Sequence, residues 1–106
     1  MPTGKGILNF IIGQLSGIDG LSSRAMMGEY ILYVGGKIVG GIYDDRLLVK
    51  PTESAKRLMP CASEEIPYDG AKPMLLVEDV DDRDFLKTLF TEIYADLPAP
   101  KVKNKR

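Results

Sequence analysis

The sequence contains no histidine and no tryptophan, and Cys61 is its only cysteine. Without histidine, the chain cannot build Ser-His or Cys-His nucleophile pairs, histidine general bases or histidine metal sites. A single cysteine excludes a disulfide within the chain and is typical of a reducing compartment, so we expect a cytoplasmic protein. No apolar run approaches the roughly 20 residues that cross a bilayer, and we expect no membrane partner.

Charge is nearly balanced overall but uneven along the chain. The 14 basic and 15 acidic residues give a net charge of −1. Four of the basic residues lie in the last six positions: Lys101, Lys103, Lys105 and Arg106. The remaining 10 basic and 15 acidic residues give −5. We therefore predict one domain over 1–98 and a basic disordered tail over 99–106, with direct nucleic-acid binding by the domain not expected.

No motif in the sequence matches a cofactor or metal site. A P-loop around the glycines of GGKIVGG would need a glycine where Ile31 stands and Ser or Thr where Ile38 stands. The acidic run 78–84 would need glycine and glutamate at Asp84 and Phe90 to form a calcium loop. Capping of the following helix accounts for this run, with a weak metal site as the alternative. We expect no cofactor and no enzymatic activity.

Four strands are predicted in the middle of the chain, near 23–27, 30–34, 37–43 and 46–50. Gly35-Gly36 fits a two-residue hairpin turn, and Asp44-Asp45 is a weaker signal of the same kind. Counting outward from these turns predicts the register. The predicted pairs are Tyr33 with Ile38, Ile31 with Gly40, Ile42 with Leu47, and Gly40 with Val49.

This register predicts a sheet with one apolar face and one mixed face. The apolar face carries Ile31, Tyr33, Ile38, Ile42, Leu47 and Val49. The mixed face carries Tyr30, Leu32, Val34, Lys37, Val39, Tyr43, Arg46, Leu48 and Lys50. Such a mixed face is either partly covered by another element or meets a partner. Glycines inside a strand, as at Gly40-Gly41, indicate a bulge or a closely packed element such as a helix.

Helices and one more strand complete the predicted α+β fold. The apolar stripe of Leu8 and its neighbours predicts a helix over 7–16, and Thr52 is placed to cap a helix over 53–59. Residues 61–73 are predicted to be a loop with a solvated Glu64-Glu65 pair, followed by a strand over 74–78. Asp81 is predicted to cap the last helix, which ends before Pro98. The predicted fold is an antiparallel β-meander with flanking helices, in the order α-β-β-β-β-α-β-α.

From Arg24 to Lys50 the chain carries, in order, the patterns R-x-M-x-G-x-Y, L-Y-x-x-G-K and D-D-R-L-x-x-K. The positions that form them are Arg24, Met26, Gly28, Tyr30, Leu32, Tyr33, Gly36, Lys37, Asp44, Asp45, Arg46, Leu47 and Lys50. This ordered set resembles the N-terminal domain of the TfoX/Sxy family, and the likeness continues through MLLVEDVDD and the final helix. The resemblance implies a fold similar to the type III secretion chaperone-like architecture. The family's name-giving members regulate natural competence with a transcription factor and carry a second domain, and 106 residues leave room for the first.

Together these observations predict a non-enzymatic, regulatory protein-interaction domain. Its partner would be a second copy of the chain, as a homodimer, or a transcription regulator. We expect Tyr30, Val39, Tyr43, Arg46 and Lys50 to line the contact surface, because aromatic and arginine side chains concentrate in such surfaces. The alternative is a small nucleic-acid- or ligand-binding module that uses the basic tail, whose binding would weaken steeply with salt.

Overall fold

A computed structural model describes residues 5–26, 29–67 and 69–97 of the chain. The elements are α1 (Lys5–Leu15), β1 (Leu21–Met26), β2 (Glu29–Val34), β3 (Lys37–Tyr43), β4 (Arg46–Val49), α2 (Glu53–Leu58), β5 (Glu64–Glu65), β6 (Met74–Val77) and α3 (Arg83–Asp96). The predicted α+β class and element order are confirmed, with the two-residue β5 added inside the segment predicted as a loop. The predicted domain end at 98 and tail 99–106 lie outside the described residues.

The strands form one antiparallel sheet in the order β1-β2-β3-β4-β6-β5. The four strands of the meander lie side by side in chain order, and β6 then pairs with β4. Helices pack on one face of this sheet and share a single core with it. Its largest fully buried side chains include Phe90, Ile11, Leu15, Leu32, Ile42, Leu47, Leu86, Leu89 and Ile93. No helix in the described ranges has the length and apolar character to cross a membrane.

Both predicted two-residue turns are confirmed. Gly35 and Gly36 have φ values of 57° and 85°, and Asp44 and Asp45 have φ values of 51° and 63°. Positive φ at both central residues matches the right-handed twist of the flanking strands, which is why such turns close hairpins. Aspartate tolerates this left-handed region better than most residues, so the Asp44-Asp45 pair can occupy it without glycine.

A β-bulge between β2 and β3 changes the predicted register. Tyr33 pairs with Ile38 as predicted, but the next pair is Leu32 with Gly40, and Ile31 pairs with Gly41 instead of Gly40. The predicted register was wrong from this point because counting from the turn assumed an unbroken ladder. Val39 is the one extra residue on β3 and has no partner on β2. A bulge places such a residue on the same side of the sheet as the next residue of its strand, here Gly40.

The bulge also corrects the predicted faces of the sheet. Beyond it, the predicted pairs Ile42 with Leu47 and Gly40 with Val49 are confirmed. The side chains of β2 that were placed on the mixed face, however, pack in the same core as Ile42 and Leu47. These are Tyr30, Leu32 and Val34, and Val39 of β3 joins them. Ile31, Tyr33 and Ile38 consequently lie on the opposite face.

The two glycines of β3 are required by close approach of neighbouring groups. A Cβ atom on Gly40 would overlap the Leu48 carbonyl oxygen and lie 2.8 Å from the Val49 Cα atom. A Cβ atom on Gly41 would lie 2.5 Å from the Tyr43 ring and 2.7 Å from the Tyr30 carbonyl oxygen. Of the two alternatives left open for these glycines, the structure shows a bulge beside them. The space around them is occupied by strand backbone and an aromatic ring, and not by the helix given as an example.

Side-chain caps define the N-terminal ends of α2 and α3. The Ala55 N–H donates to the Thr52 hydroxyl over 3.2 Å, which confirms the predicted cap of α2. For α3 the cap is Asp82, whose carboxylate accepts from the Phe85 N–H over 3.0 Å, so the prediction of Asp81 was wrong by one residue. Neighbouring acidic residues make this boundary ambiguous by sequence, because either carboxylate can accept from a first-turn N–H.

The Lys37 side chain connects the β2–β3 hairpin to the C-terminal end of α3. Its ammonium donates to the Leu97 carbonyl over 2.9 Å and to the Tyr94 carbonyl over 3.3 Å. It also lies 4.2 Å from the centre of the Tyr94 ring. Positive charge at a helix C-terminus complements the partial negative charge of its free carbonyls. The same ring lies against Gly35, where a Cβ atom would come within 2.8 Å of it.

The Asp96 carboxylate, at the same C-terminal end of α3, joins α3 to α2. Asp96 accepts a hydrogen bond from the Ser54 N–H over 2.7 Å, at the first turn of α2. Hydrogen bonding to the Ser54 backbone lowers the pKa of Asp96, with help from the Ser54 and Thr52 side chains and the charge of Arg57. The helix N-terminus therefore favours the charged form of this carboxyl group.

We expect Gly40→Ala to destabilise the fold by about 1–3 kcal/mol, because the added methyl group meets backbone that cannot rotate away. Gly13→Ala is the matched control. Its Cβ atom would meet nothing within 4 Å inside α1, so this change should stabilise by about 0.5–1 kcal/mol. Urea unfolding of the two variants measures both values. A Gly40→Ala variant as stable as the parent would contradict the close approach of β3 and β4.

The pKa of Asp96 predicts a stability difference that depends on pH. A carboxyl group with a lowered pKa in the folded state stabilises the fold above its unfolded pKa, and this contribution disappears as pH falls through the folded pKa. Asp96→Asn should therefore lower the thermal midpoint at pH 7. The gap to the parent should close as the pH falls below 3.8, the ordinary value. Asp69→Asn in the exposed loop serves as control, and a constant gap from pH 7 to pH 2 would refute the assignment.

Candidate functional site

One face of the sheet is left without helices, and we call it the outer face. Two buried apolar residues, Tyr43 and Leu48, do not belong to the main core. Strand alternation places them on the outer face, since Tyr43 pairs with Arg46 and Leu48 with Gly41, each next to a core-facing pair. The outer face therefore buries a small apolar layer of its own.

Pro67 and the residues Ala71 to Pro73, which lie between β5 and β6, cover part of the outer face and leave a groove. This outer-face groove has a volume of about 490 Å³. Its sheet side is formed by Ile31, Ile38, Tyr43, Lys50 and Pro51, and its wall by Pro67, Ala71, Lys72, Pro73 and Met74. Proline fixes φ and removes a backbone donor, so three prolines give the groove a stiff lining that is poor in hydrogen-bond donors. The predicted mixed face is therefore divided: its β2 residues lie under the helices, and Tyr43 and Lys50 line this partly covered groove.

Apolar side chains stay exposed next to this groove. Ile38 on its floor is 39% exposed, and Ile66, directly before the wall residue Pro67, is 56% exposed. Single exposed apolar residues are common, but here they continue a concave apolar lining. A concave apolar surface with a few polar groups is the usual form of a binding site.

The charged groups at the groove are basic. Lys50 and Lys72 belong to the described lining, which includes no carboxylate. Arg46, on the same face, forms an ion pair with Glu65 of β5, and its Nε donates to the Tyr43 carbonyl over 3.2 Å. Because Glu65 balances Arg46, the positive potential at the groove comes from the two lysines. Such a site favours a ligand that combines apolar and acidic groups.

The structure brings together some of the predicted contact residues and separates others. Tyr43 and Lys50 line the groove, and Arg46 lies on the same face. Val39 is fully buried in the core, and Tyr30 packs against that core from the helix-covered side. The face predicted for Tyr30 and Val39 was wrong because the bulge reverses the orientation of these residues relative to Tyr43.

Sequence reasoning missed most of the groove lining. Ile31 and Ile38 were assigned to the core face, and the prolines of the wall were assigned only to a loop. The predicted solvation of Glu65 was also wrong, since it lies in β5 and pairs with Arg46. The glycine pair in β3 did signal an irregularity in the strand. A predicted register shifted by one residue at that point would have placed Ile31 and Ile38 on the same face as Tyr43.

The acidic run 78–84 and Cys61 are the other sequence features that could have indicated a chemical site. In the described part of the chain, no three acidic or cysteine side chains converge as a metal site would require. Asp82 of the acidic run caps α3, as proposed for that run in general. Cys61 is an exposed free thiol in the middle of the connection between α2 and β5.

We expect the Arg46–Glu65 pair to contribute about 0.2–1 kcal/mol, because both side chains are roughly one-third exposed. Arg46→Glu and Glu65→Arg should each destabilise the fold by opposing like charges, and the double variant should recover most of the loss. Urea unfolding of the four proteins measures the coupling. Additive effects of the two single changes would show that the pair does not couple β4 to the edge strand β5.

Comparison with known proteins gives two matches over most of the chain. A family model described as the TfoX N-terminal domain matches residues 13–97. A protein from Spirochaeta aurantia, described as an uncharacterized 12.7 kDa protein in the trpE 5' region, is 32% identical over 107 residues. That alignment covers 100% of this chain and 93% of the relative.

Proposed function

The chain belongs to the TfoX N-terminal domain family, and we propose that it is a regulatory domain that works by binding a protein partner and catalyses no reaction. The family assignment follows from the match over residues 13–97. The name-giving members of this family regulate competence for DNA uptake. We propose a related role here, in which the partner is a component of transcription regulation.

The observation that supports this proposal is the outer-face groove beside exposed apolar side chains. Ile38 keeps 39% of its surface exposed at the floor of a concave, proline-walled site. Burying such a side chain against a partner gains roughly 25 cal/mol for each Å² of apolar surface removed from water. A few such anchors in a pocket carry most of the energy of a typical protein contact.

The charge of the groove indicates the kind of partner segment that would fit. Lys50 and Lys72 stand at an otherwise apolar lining. A partner segment with one apolar side chain between acidic residues would place its carboxylates near these ammonium groups. Such charges raise the association rate and discriminate against basic segments more than they raise affinity.

Ile38→Glu should weaken partner binding without unfolding the domain. Ile38 is exposed, so a charged side chain can remain hydrated in the free protein, whereas burial in a contact would cost at least tenfold in affinity. Phe10→Glu on α1 is the matched control, since Phe10 is 45% exposed and lies away from the outer-face groove.

The measurement is photo-crosslinking in cells from benzoylphenylalanine placed at position 38 or position 10, followed by titration of the purified captured protein against each variant. We expect capture from position 38, and loss of affinity with Ile38→Glu but not with Phe10→Glu. Capture from position 10 alone, or equal affinity of the Ile38→Glu variant and the parent, would refute the proposal.

A further inference from the structure

Strand β1 is an open edge of the sheet and is long enough to pair with another strand. Within the described chain its single neighbour is β2, and it spans six residues, of which Ser22 to Met26 are exposed. The opposite edge, β5, has two residues. Proteins usually shorten, cover or charge an edge strand to prevent pairing. Arg24 is the one charged residue in β1, and Ser22, Ser23 and Ala25 are small.

The hydrogen-bond pattern shows which backbone groups of β1 point away from the sheet. The Gly35 N–H donates to the Gly20 carbonyl over 3.0 Å, which makes these opposed residues a hydrogen-bonded pair at the start of the β1–β2 ladder. Bonded and non-bonded pairs alternate along an antiparallel ladder. Residues 22, 24 and 26 therefore bond to β2, and the backbone groups of residues 21, 23 and 25 point outward.

Two identical edges can pair antiparallel about a two-fold axis perpendicular to the sheet. Rotation about such an axis leaves each side chain on its original face of the sheet. A residue must therefore lie opposite a residue of the other copy whose side chain is on the same face. Two registers satisfy this rule and pair five of the six residues. One is centred on Ser23 and the other on Arg24. The second places the two Arg24 side chains directly opposite each other, and like charges in that position are destabilising.

We propose that two copies of this chain pair through antiparallel β1 strands, with Ser23 on the two-fold axis. Each Ser23 N–H then meets the carbonyl of the other Ser23, and each Ala25 N–H meets the Leu21 carbonyl of the other copy. Arg24 lies opposite Ser22, whose small hydroxyl side chain leaves room for the guanidinium. The two six-stranded sheets become one continuous sheet.

This pairing leaves the outer-face groove unchanged and is independent of the partner contact proposed above. Since the axis is perpendicular to the sheet, both grooves lie on the same side of the extended sheet. A single strand pair buries little area, so we expect a dissociation constant on the order of 10–100 µM. The dimer would then present two copies of the groove to one partner assembly.

Disulfide trapping tests the register directly. The chain should carry Cys61→Ser to remove its exposed thiol, together with either Ser23→Cys or Ala25→Cys. Two copies of residue 23 on the axis would have Cα atoms about 5.5 Å apart, within disulfide range. Two copies of residue 25 would be about 14 Å apart, since each lies four residues from the point opposite the other.

We expect the Ser23→Cys protein to form covalent dimers at least tenfold faster than the Ala25→Cys protein under mild oxidation. Both positions are exposed on the same strand, so random collision would give similar rates. Similar rates, or faster trapping from position 25, would overturn the proposal.

A proline substitution tests the same contact without a crosslink. Ser23→Pro removes an N–H that β2 does not use, so the fold should persist, while Ser23→Ala keeps the N–H. Sedimentation velocity at increasing concentration should show dimers for the parent and Ser23→Ala and monomers for Ser23→Pro. A monomeric parent at 1 mM, roughly ten times the upper end of the expected constant, would refute the pairing. So would a folded Ser23→Pro variant that dimerises like the parent.

Discussion

The close approach of β3 to β4 at Gly40 is the constraint on which the arrangement of the sheet depends. No side chain fits between Gly40 and the backbone of β4, and the Tyr43 ring lies directly over Gly41. These two contacts accommodate the bulge that inserts Val39 into the strand. The bulge places Val39 in the core with Leu32 and leaves Ile31 and Ile38 on the outer face. The site that we assign to partner binding therefore results from one extra residue in one strand.

Two contacts at the C-terminal end of α3 hold the helix-covered face in place. Lys37 reaches from the β2–β3 hairpin to the final carbonyls of α3, and Asp96 accepts from the first turn of α2. Both contacts complement helix dipoles, one at the C-terminus of α3 and one at the N-terminus of α2, and neither uses a group from the outer face. The outer face can then remain apolar and concave, with the β5–β6 segment as its sole cover in the described chain. A groove carried by the strands of a sheet would suit the partner binding that we propose.

Sequence reasoning predicted the elements well and the site only in part. Turn chemistry located both hairpins, because paired glycines and paired aspartates supply positive φ at low cost. The helices were located by the capping residue Thr52, by the apolar stripes and by the prolines that follow the helices. The register failed at the bulge, since Gly40-Gly41 signals an irregularity but does not say which residue is extra. The groove wall could not be predicted, because the position of Pro67 and Pro73 beside β3 depends on tertiary packing that a loop sequence does not encode.

The position of the bulge can be measured most directly by NMR contacts between protons on facing strands of the isolated domain. With the bulge, Leu32 faces Gly40 and Ile31 faces Gly41, and Val39 belongs to the buried core. We predict cross-strand contacts of this pattern, together with contacts from Val39 to core side chains. An unbroken ladder, in which Ile31 faces Gly40 and Leu32 faces Val39, would reverse the two faces and contradict the assignment of the outer-face groove.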